Sequence, residues 1–513
     1  MAEPDARDRS ALAGVAAAAV ALGVAQLVAV VFGPGADSRT AVGSAVIDLT
    51  PGPVKEWAIQ LFGTSDKLAL SIVVLAVIAV IAALTAQRET GRIPLGSIAI
   101  VLAGVAGSAA VLTRTGGTWA DVVPTVVGTV CGVAVLRLLV SGRFTNRPAA
   151  ADPDGVPDTG RRLTMITVGF LAAGAASGVA GAVLNRLRSS VAGDRNAFAL
   201  PRATNEIPPI PAAVQPAGVA LPPFVTPNAD FYRIDTALAV PQVSRNDWRL
   251  KIHGMVDHEL DLGFADLDRF EVVEQVVTLT CVSNPVGGDL VSNAKWRGYR
   301  VRDLLAQAGI HRDADMVLST SIDGFTAGTP TEALTDDRGA LLAIGMNDVP
   351  LPTEHGYPAR LVVPGLYGYV SATKWIVDLE LTRFDRAQAY WTRLGWSPRG
   401  PIKTESRIDV PRSGQVVPRG PVTFGGVAWA QNRGVRAVEL SIDDGPWAPA
   451  TLGAGYSKDT WRLWSFPWEA DAPGTHAIRV RATDETGAVQ TAQQADVIPD
   501  GASGWHAVSF AVK

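Results

Sequence analysis

At 513 residues the chain has room for roughly three or four domains. Its net charge of −4, with 18% charged residues, excludes the polybasic surface of a nucleic-acid binder. Apolar residues crowd the chain up to about residue 187 and the remainder is Trp-rich, Pro-rich and normally charged, so a membrane half is expected to precede a soluble half.

A hydrocarbon core about 30 Å thick needs roughly 20 apolar residues per helix, because no water is present there to satisfy exposed backbone groups. Five stretches meet that length: residues 11–32, 68–86, 93–112, 122–140 and 163–184. Pro94 and Pro124 fall near helix starts, where a missing N–H costs little. Arg137 lies near the end of the fourth stretch, within reach of the headgroups. In the first loop, Val54, Trp57, Leu61 and Phe62 share one face of a short interfacial helix or belong to a plain loop. Arg7 and Arg9 precede the first span, Arg88 and Arg92 fill the second loop, and Arg143, Arg147, Arg161 and Arg162 fill the fourth. The positive-inside rule puts these alternate segments in the cytoplasm, and everything after the fifth span outside it. Arg161 and Arg162 read either as an inside anchor or, in RRLTMITVGF, as a run that resembles a twin-arginine export signal.

Residues 189–227 carry Pro201, Pro208, Pro209, Pro211, Pro216, Pro222, Pro223 and Pro227, the composition of an extended linker that acts as a tether or as a strap over a domain. From 228 to 400, short β-rich runs such as 276–279 and 359–363 mix with helical stretches such as Val301–Ala308, an α+β pattern. From 401 to 513 the pattern is all-β. Val438, Leu440 and Ile442 alternate with polar residues before the turn Asp443, Asp444, Gly445, and Ile478 and Val480 do the same before the turn at 484–487. Short strands and turns at this spacing predict an immunoglobulin-like sandwich.

The two cysteines are Cys131, inside the fourth span, and Cys281. The soluble half therefore has one thiol and no internal disulfide. Cys131 reads as a small packing residue. Cys281 follows the strand-like VVTLT and enters the polar loop VSNPVGGD, a place from which a reactive or ligating side chain projects off a rigid scaffold. All six histidines lie after the last span, so no span offers a His ligand and no haem is expected. No Cys/His pair has the short spacing of a structural zinc site.

The segment 278–305, TLTCVSNPVGGDLVSNAKWRGYRVRDLL, resembles the molybdenum-binding segment of the sulfite oxidase family, and 345–376, GMNDVPLPTEHGYPARLVVPGLYGYVSATKWI, resembles its pterin-binding segment. The resemblance covers about 222 to 513 and leaves out the five spans. It implies a molybdenum–molybdopterin cofactor with Cys281 as the metal's protein ligand, residues 228–400 as the catalytic domain and 401–513 as a domain of the family's dimerisation type, with a possible homodimer. It also implies cofactor contacts from Asn228, Tyr232 and Arg233 in PNADFYRIDT, from Asp323 in SIDGF, from His355, Arg360 and Lys374, and from the backbone of Ala372 and Thr373. Arg233 is also a candidate to face an anionic substrate. Asp323 reads equally as a turn-stabilising residue.

The departures concern substrate. Asp235 stands where animal sulfite oxidases have a His, Pro285 and Val286 stand where the family has an Arg pair, and Trp396 aligns with its Tyr near the metal. These place an apolar surface where cations and a phenol are expected. The reading is a membrane-anchored oxidoreductase performing two-electron oxo transfer on a small extracytoplasmic molecule, supplied with electrons by a separate redox partner. A sulfoxide reductase of the methionine-sulfoxide type is a second enzyme reading, and a metal-free, membrane-tethered binding module is the reading from another class.

Overall fold

A computed structural model describes residues 6–51, 54, 66–89, 93–114, 117–141, 159–205, 207–234 and 236–513. Trp57, Leu61, Phe62, Arg92, Arg143, Arg147 and Asp235 lie outside the described residues, and with them most of the expected interfacial helix. The chain divides into two units, Met1–Ser190 with Ala237–Val240, and Val191–Thr236 with Pro241–Lys513.

In the first unit, among the described residues, five helices are long and apolar enough to cross a membrane: Arg7–Phe32, Lys67–Ala86, Leu95–Leu112, Trp119–Val140 and Arg162–Ala197. The third begins at Leu95 rather than at 93, because Pro94 is its cap, and Pro124 occupies the first turn of the fourth, where no N–H is needed. Small residues set the packing. A Cβ on Gly23 would stand 2.0 Å from the Gly174 carbonyl oxygen, and one on Gly181 would stand 2.6 Å from the Gln26 backbone, so the first and last of these helices meet backbone to backbone. Arg137 does more than reach outward: its Nε–H donates to Ser97 Oγ at 3.3 Å, and Ser97 in turn donates to the Glu89 carboxylate at 2.6 Å. A helix at Ser38–Leu49 also forms in the first loop, capped by Asp37, whose carboxylate accepts from the N–H groups of Arg39 and Thr40. Asp37 is the N-cap of this helix.

In the second unit the Pro-rich segment lies along the surface as a strap. Its Asp194 carboxylate accepts from Arg245 at 2.8 Å and from the Tyr357 hydroxyl at 2.6 Å, and Thr204 N–H donates to the Val272 carbonyl. Two sheets follow. The strands are β1 (Arg249–Gly254), β2 (Leu260–Gly263), β3 (Val272–Thr280), β4 (Val291–Arg300), β5 (Met316–Ser321), β6 (Thr326–Pro330), β7 (Leu341–Met346), β8 (Val349–Pro350), β9 (Arg360–Val362) and β10 (Ile376–Thr382). One sheet has the order β2-β1-β10-β5-β6 and the other β3-β4-β7-β8, with β9 pairing β7. The helix Val301–Ala308 occupies the range read from sequence, because Val301, Leu304, Leu305 and Ala308 fall on one buried face and Gly309 ends it at φ +70°.

The last part of the chain is all-β. Its strands are β11 (Glu405–Val410), β12 (Val416–Val417), β13 (Gly420–Trp429), β14 (Val435–Ile442), β15 (Ala448–Pro449), β16 (Thr451–Leu452), β17 (Arg462–Ala470), β18 (Gly474–Asp484) and β19 (His506–Val512). They form two sheets, β11-β13-β17-β16 and β12-β19-β18-β14-β15, around a shared core that includes Phe424, Leu440, Trp464, Val480 and Phe510. Trp248, Trp296, Trp375, Trp429, Trp461 and Trp464 are almost wholly buried in the second unit. Each removes roughly 150–250 Å² from water. The indole N–H of Trp461 crosses to the Phe224 carbonyl at 2.9 Å, which ties the β region to the strap.

Candidate functional site

β3 explains where Cys281 stands. The alternation of a strand sends Val273, Val277 and Leu279 into one core and Val272 and Val276 into another, so the run is apolar on both faces. Thr278 and Thr280 continue the second face as polar residues, and the C-terminal β region grips them there. Gln431 donates from Nε2 to the Thr278 carbonyl at 3.0 Å and to Thr280 Oγ1 at 2.8 Å, while Trp461 N–H donates to Thr278 Oγ1 at 2.8 Å. Cys281, the next residue, is partly exposed, and its backbone N–H donates to the Leu290 carbonyl across the loop at 2.9 Å. Burial pushes its thiol up, with hydrogen bonding from Ser283 opposing the shift.

Tyr232 faces this sulfur. Burial and then the charge of Cys281 raise its phenol, Arg360 pulls the other way, and its ring stacks on Phe231 at 5.4 Å. Arg360 is 5% exposed. Its guanidinium donates to the carbonyls of Leu361, His355 and Ala372, each at 3.3 Å, and lies 5.2 Å from the Trp296 ring. Among the described residues no carboxylate lies within ion-pair distance of it, and burial lowers it to about 10. His355 donates Nε2–H to the Asn228 carbonyl at 3.1 Å, since a carbonyl can only accept. Burial, then the charge of Arg360, lowers its ring to about 4, so at neutral pH it offers a neutral Nδ1 rather than a second cation. Lys374 Nζ lies 4.7 Å from the Trp375 ring, and Asn228 Oδ1 accepts from Asn347 at 2.7 Å. Thr373 is buried, its hydroxyl 2.7 Å from that of Ser319, and its carbonyl accepts from Leu361 N–H.

The structure thus brings Tyr232 and Cys281 together, and gathers Asn228, His355, Arg360, Ala372, Thr373 and Lys374 around one shelf. Arg233, beside Tyr232, is exposed. Asp323 stabilises its turn: it accepts from Phe325 N–H at 3.3 Å and from the Thr236 hydroxyl at 3.4 Å, which leaves its part in the cofactor set a proposal.

At Thr280, the residue before Cys281, a small cleft of about 10 Å³, room for about one water, is lined by Thr280, Asn284, Pro285, Tyr367, Glu405, Trp429 and Ala502. Trp396, which aligns with the family's tyrosine, is buried against Tyr369 and Trp391, at 5.8 and 6.0 Å between ring centroids, and the phenols of both Tyr232 and Tyr367 feel the charge of Cys281. Pro285 does line the cleft, but the C-terminal β region brings a cation to the same loop: Arg407 donates to the Gly288 carbonyl at 2.9 Å and pairs with Asp409. His506 packs against Gly287. Tyr367, Glu405, Arg407 and His506 went unread in the sequence. For Tyr367 a signal existed, because VPGLYGY turns back toward the strand that ends in Cys281; for the others there was none.

These residues fit a dithiolene-bound molybdenum. Among the described residues no three His, Cys, Asp or Glu are placed to hold a metal, so a metal at Cys281 needs ligands brought with it, and a soft thiolate suits such a centre. The backbone also passes closely between two of these cations: a Cβ on Gly356, at φ +110°, would stand 3.0 Å from Arg360 Cβ and 3.1 Å from Lys374 Cβ. A buried guanidinium with no carboxylate partner is costly unless an anion joins it, and a cofactor phosphate is such an anion.

Residues 237–391 match the family model for the oxidoreductase molybdopterin binding domain. The chain is 33% identical over 153 residues to an uncharacterized oxidoreductase, YuiH, of Bacillus subtilis, covering 30% of this chain and 74% of that protein. It is 30% identical over 289 residues to the mitochondrial sulfite oxidase of Macaca fascicularis, 47% of this chain and 52% of the relative. The chain spans about half the length of the mitochondrial sulfite oxidases it matches. Among solved structures, the sulfane dehydrogenase SoxCD of Paracoccus pantotrophus aligns with a TM-score of 0.46 at 24% identity, over 58% of this chain and 85% of that one.

Proposed function

The chain belongs to the sulfite oxidase family of molybdopterin-binding oxidoreductases, and from that membership we propose that it is a membrane-anchored enzyme catalysing two-electron oxo transfer on a small extracytoplasmic substrate. The observation that carries the reading is that one residue, Tyr232, feels the charge of both Cys281, at the end of β3, and the buried guanidinium of Arg360, which has no carboxylate partner among the described residues. The cofactor, when bound, supplies the two-electron redox couple and the exchangeable oxygen. The protein's part is to hold and orient. Cys281 ligates the metal as thiolate; Arg360, Lys374 and the neutral His355 hold the cofactor's phosphate and pterin edge with Asn228, Tyr232, Arg233, Asp323 and the backbone of Ala372 and Thr373. Tyr367 bounds the substrate side with its hydroxyl.

The pocket is read as less cationic than one built for sulfite, because Pro285 and Val286 carry no charge and the nearby Arg407 is already paired with Asp409. An organic sulfoxide or another neutral oxygen-bearing molecule fits it better. Electrons come from a separate redox partner. The C-terminal region is read as an immunoglobulin-like, dimerisation-type domain, and the five apolar helices as the anchor among lipids.

Protein purified from a cofactor-competent host is expected to hold about one molybdenum and about one molybdopterin per chain and to show no haem absorption. With an artificial electron mediator it should turn over sulfoxides or N-oxides faster than sulfite. Efficient sulfite turnover that depends on Arg233 overturns the substrate reading, and protein without molybdenum points instead to the tethered binding module. Topology has its own test. A reporter active only outside the cytoplasm should work when fused after Ser190 and fail near Arg147; the opposite pattern refutes the orientation. If Arg161 and Arg162 form an export signal, changing both to Lys should retain the catalytic domain inside.

A further inference from the structure

The loop that follows Cys281 is closed at its base by its own groups. Cys281 N–H donates to the Leu290 carbonyl at 2.9 Å, Asn284 N–H donates to the Cys281 carbonyl at 3.2 Å, and Leu290 N–H donates to Asn284 Oδ1 at 2.8 Å. Its far end has one internal bond, from Gly288 N–H to the Pro285 carbonyl at 2.8 Å. Among the described residues, the one group from elsewhere that hydrogen-bonds to residues 282–289 is Arg407, which donates to the Gly288 carbonyl at 2.9 Å. The preceding residue, Gly287, has φ +78° and faces the His506 ring so closely that a Cβ there would stand 2.2 Å from Cδ2. A side chain at 287 is disfavoured twice, by the left-handed backbone and by the imidazole that fills its place.

Both contacts come from the C-terminal β region, one from each of its sheets. Arg407 lies on β11 opposite Val427 of β13, and Gly426 lets these strands approach so closely that a Cβ on it would stand 1.9 Å from the Arg407 carbonyl oxygen. The Arg407 side chain is aimed by Asp409, whose Oδ1 lies 2.9 Å from its Nε, and the residue is 8% exposed. His506 lies on β19 opposite Val480, and its Nδ1 accepts from Ile408 N–H of β11 at 3.0 Å, which ties the two sheets together at this point. With Nδ1 an acceptor, the ring is neutral and its proton sits on Nε2, at the edge that meets Gly287. The far end of the loop is thus held by groups fixed on two paired strands.

We infer that Arg407 and His506 are positioning residues for the metal ligand: by holding the Gly287–Gly288 end of the loop they fix where the Cys281 sulfur stands. The inference rests on Cys281 being that ligand, as proposed above. A loop tied only at its base pivots there, and Cys281 is the first residue of that base. A guanidinium hydrogen bond and a packed ring at the opposite end remove this freedom in the empty protein, so the thiol is oriented before a metal arrives.

The test compares the full-length wild type with Arg407→Met, which loses the donor, Arg407→Lys, which keeps a donor and the charge facing Asp409, and Gly287→Ala, which pushes the loop off His506. In protein purified without molybdenum, amide hydrogen exchange over residues 281–290 should quicken about tenfold in R407M, the size expected for one charge-assisted hydrogen bond, and return toward wild type in R407K. Alkylation of Cys281 by iodoacetamide, read on its own peptide, should quicken in parallel, and exchange in β18 should stay level. G287A should show the same pattern, and it carries the test if R407M does not fold. In the loaded protein the molybdenum content should match wild type while the thiolate-to-metal absorption band moves in R407M and G287A and reverts in R407K. Level loop exchange in both variants overturns the inference, as does exchange that quickens equally through β18, which reports a loosened β region and no specific hold on the loop. An unmoved absorption band over a loosened loop overturns it too, because the sulfur then keeps its place without Arg407. If the loop loosens as expected but the wild type itself takes up no molybdenum, the ligand reading fails while the hold of Arg407 and His506 on the thiol stands.

Discussion

Replacing Cys281 with serine should remove the thiolate-to-metal absorption and lower mediator-coupled activity by about 10³-fold or more, because a ligand acting at the reacting centre is not replaced by its neighbours. The argument begins with the thiol's surroundings. Burial raises it, so the sulfur is a protonated thiol unless a cation takes the proton's place. Metal binding supplies that exchange, and a serine hydroxyl, harder and far less acidic, does not. The fold should tolerate the change, since serine is close to cysteine in size and the Cys281 N–H bond to the Leu290 carbonyl belongs to the backbone. Circular dichroism and thermal unfolding of the variant should therefore match the wild type while the absorption band and turnover are lost. Full activity in the variant would refute Cys281 as the ligand.

Arg360→Met should act with opposite signs on the empty and the loaded protein. In the empty protein the guanidinium is 5% exposed, holds three carbonyls at 3.3 Å and has no carboxylate beside it among the described residues, so an apolar side chain of similar length relieves a buried charge. Replacing buried ionic groups by apolar ones of similar volume typically stabilises by about 1–4 kcal/mol. In the loaded protein the same change leaves the cofactor's anion unpaired, which costs about 2–5 kcal/mol, or about 30-fold to about 5,000-fold in affinity. Melting curves of both forms and pterin content after purification would read the two signs; a variant that melts lower in both forms and keeps its pterin contradicts the argument. A pH test follows from the same burial. Arg360 is lowered to about 10 in the fold, so the unfolded chain binds the proton more tightly there, and the stability of the empty protein should rise as pH rises through that value. The rise should be absent in R360M.

Several features were legible because they are local. The run VVTLT reads as a strand since both of its faces are buried, Val301–Ala308 reads as a helix since one face is, and Pro94 and Pro124 mark helix starts because proline lacks the N–H a helix interior needs. The pterin-type motif was legible for a related reason: His355, Arg360 and Lys374 lie within one short stretch that turns around Gly356, so chain proximity enforces spatial proximity. Local reading does not reach the packing between distant parts: Trp396 follows the motif in sequence and packs back on its Tyr369, and on Trp391, because three aromatic rings together bury a large apolar surface.

The sequence by itself determined the membrane-like first half, the α+β and all-β character of the second, and Cys281 as the one thiol of the soluble half, since periodicity, turn residues and composition are properties of neighbouring positions. Tertiary structure alone decided what surrounds that thiol. Glu405, Gln431 and His506 reach Thr280, Thr278 and Gly287 from more than a hundred residues away. No spacing rule links such positions; they meet because the C-terminal β region and β3 share a buried face, where Trp429, Trp461 and Val276 belong to one core. The raised Glu405 carboxyl and the lowered Arg360 guanidinium are likewise products of that burial, because a residue's charge state depends on the dielectric around it and not on its neighbours in the chain.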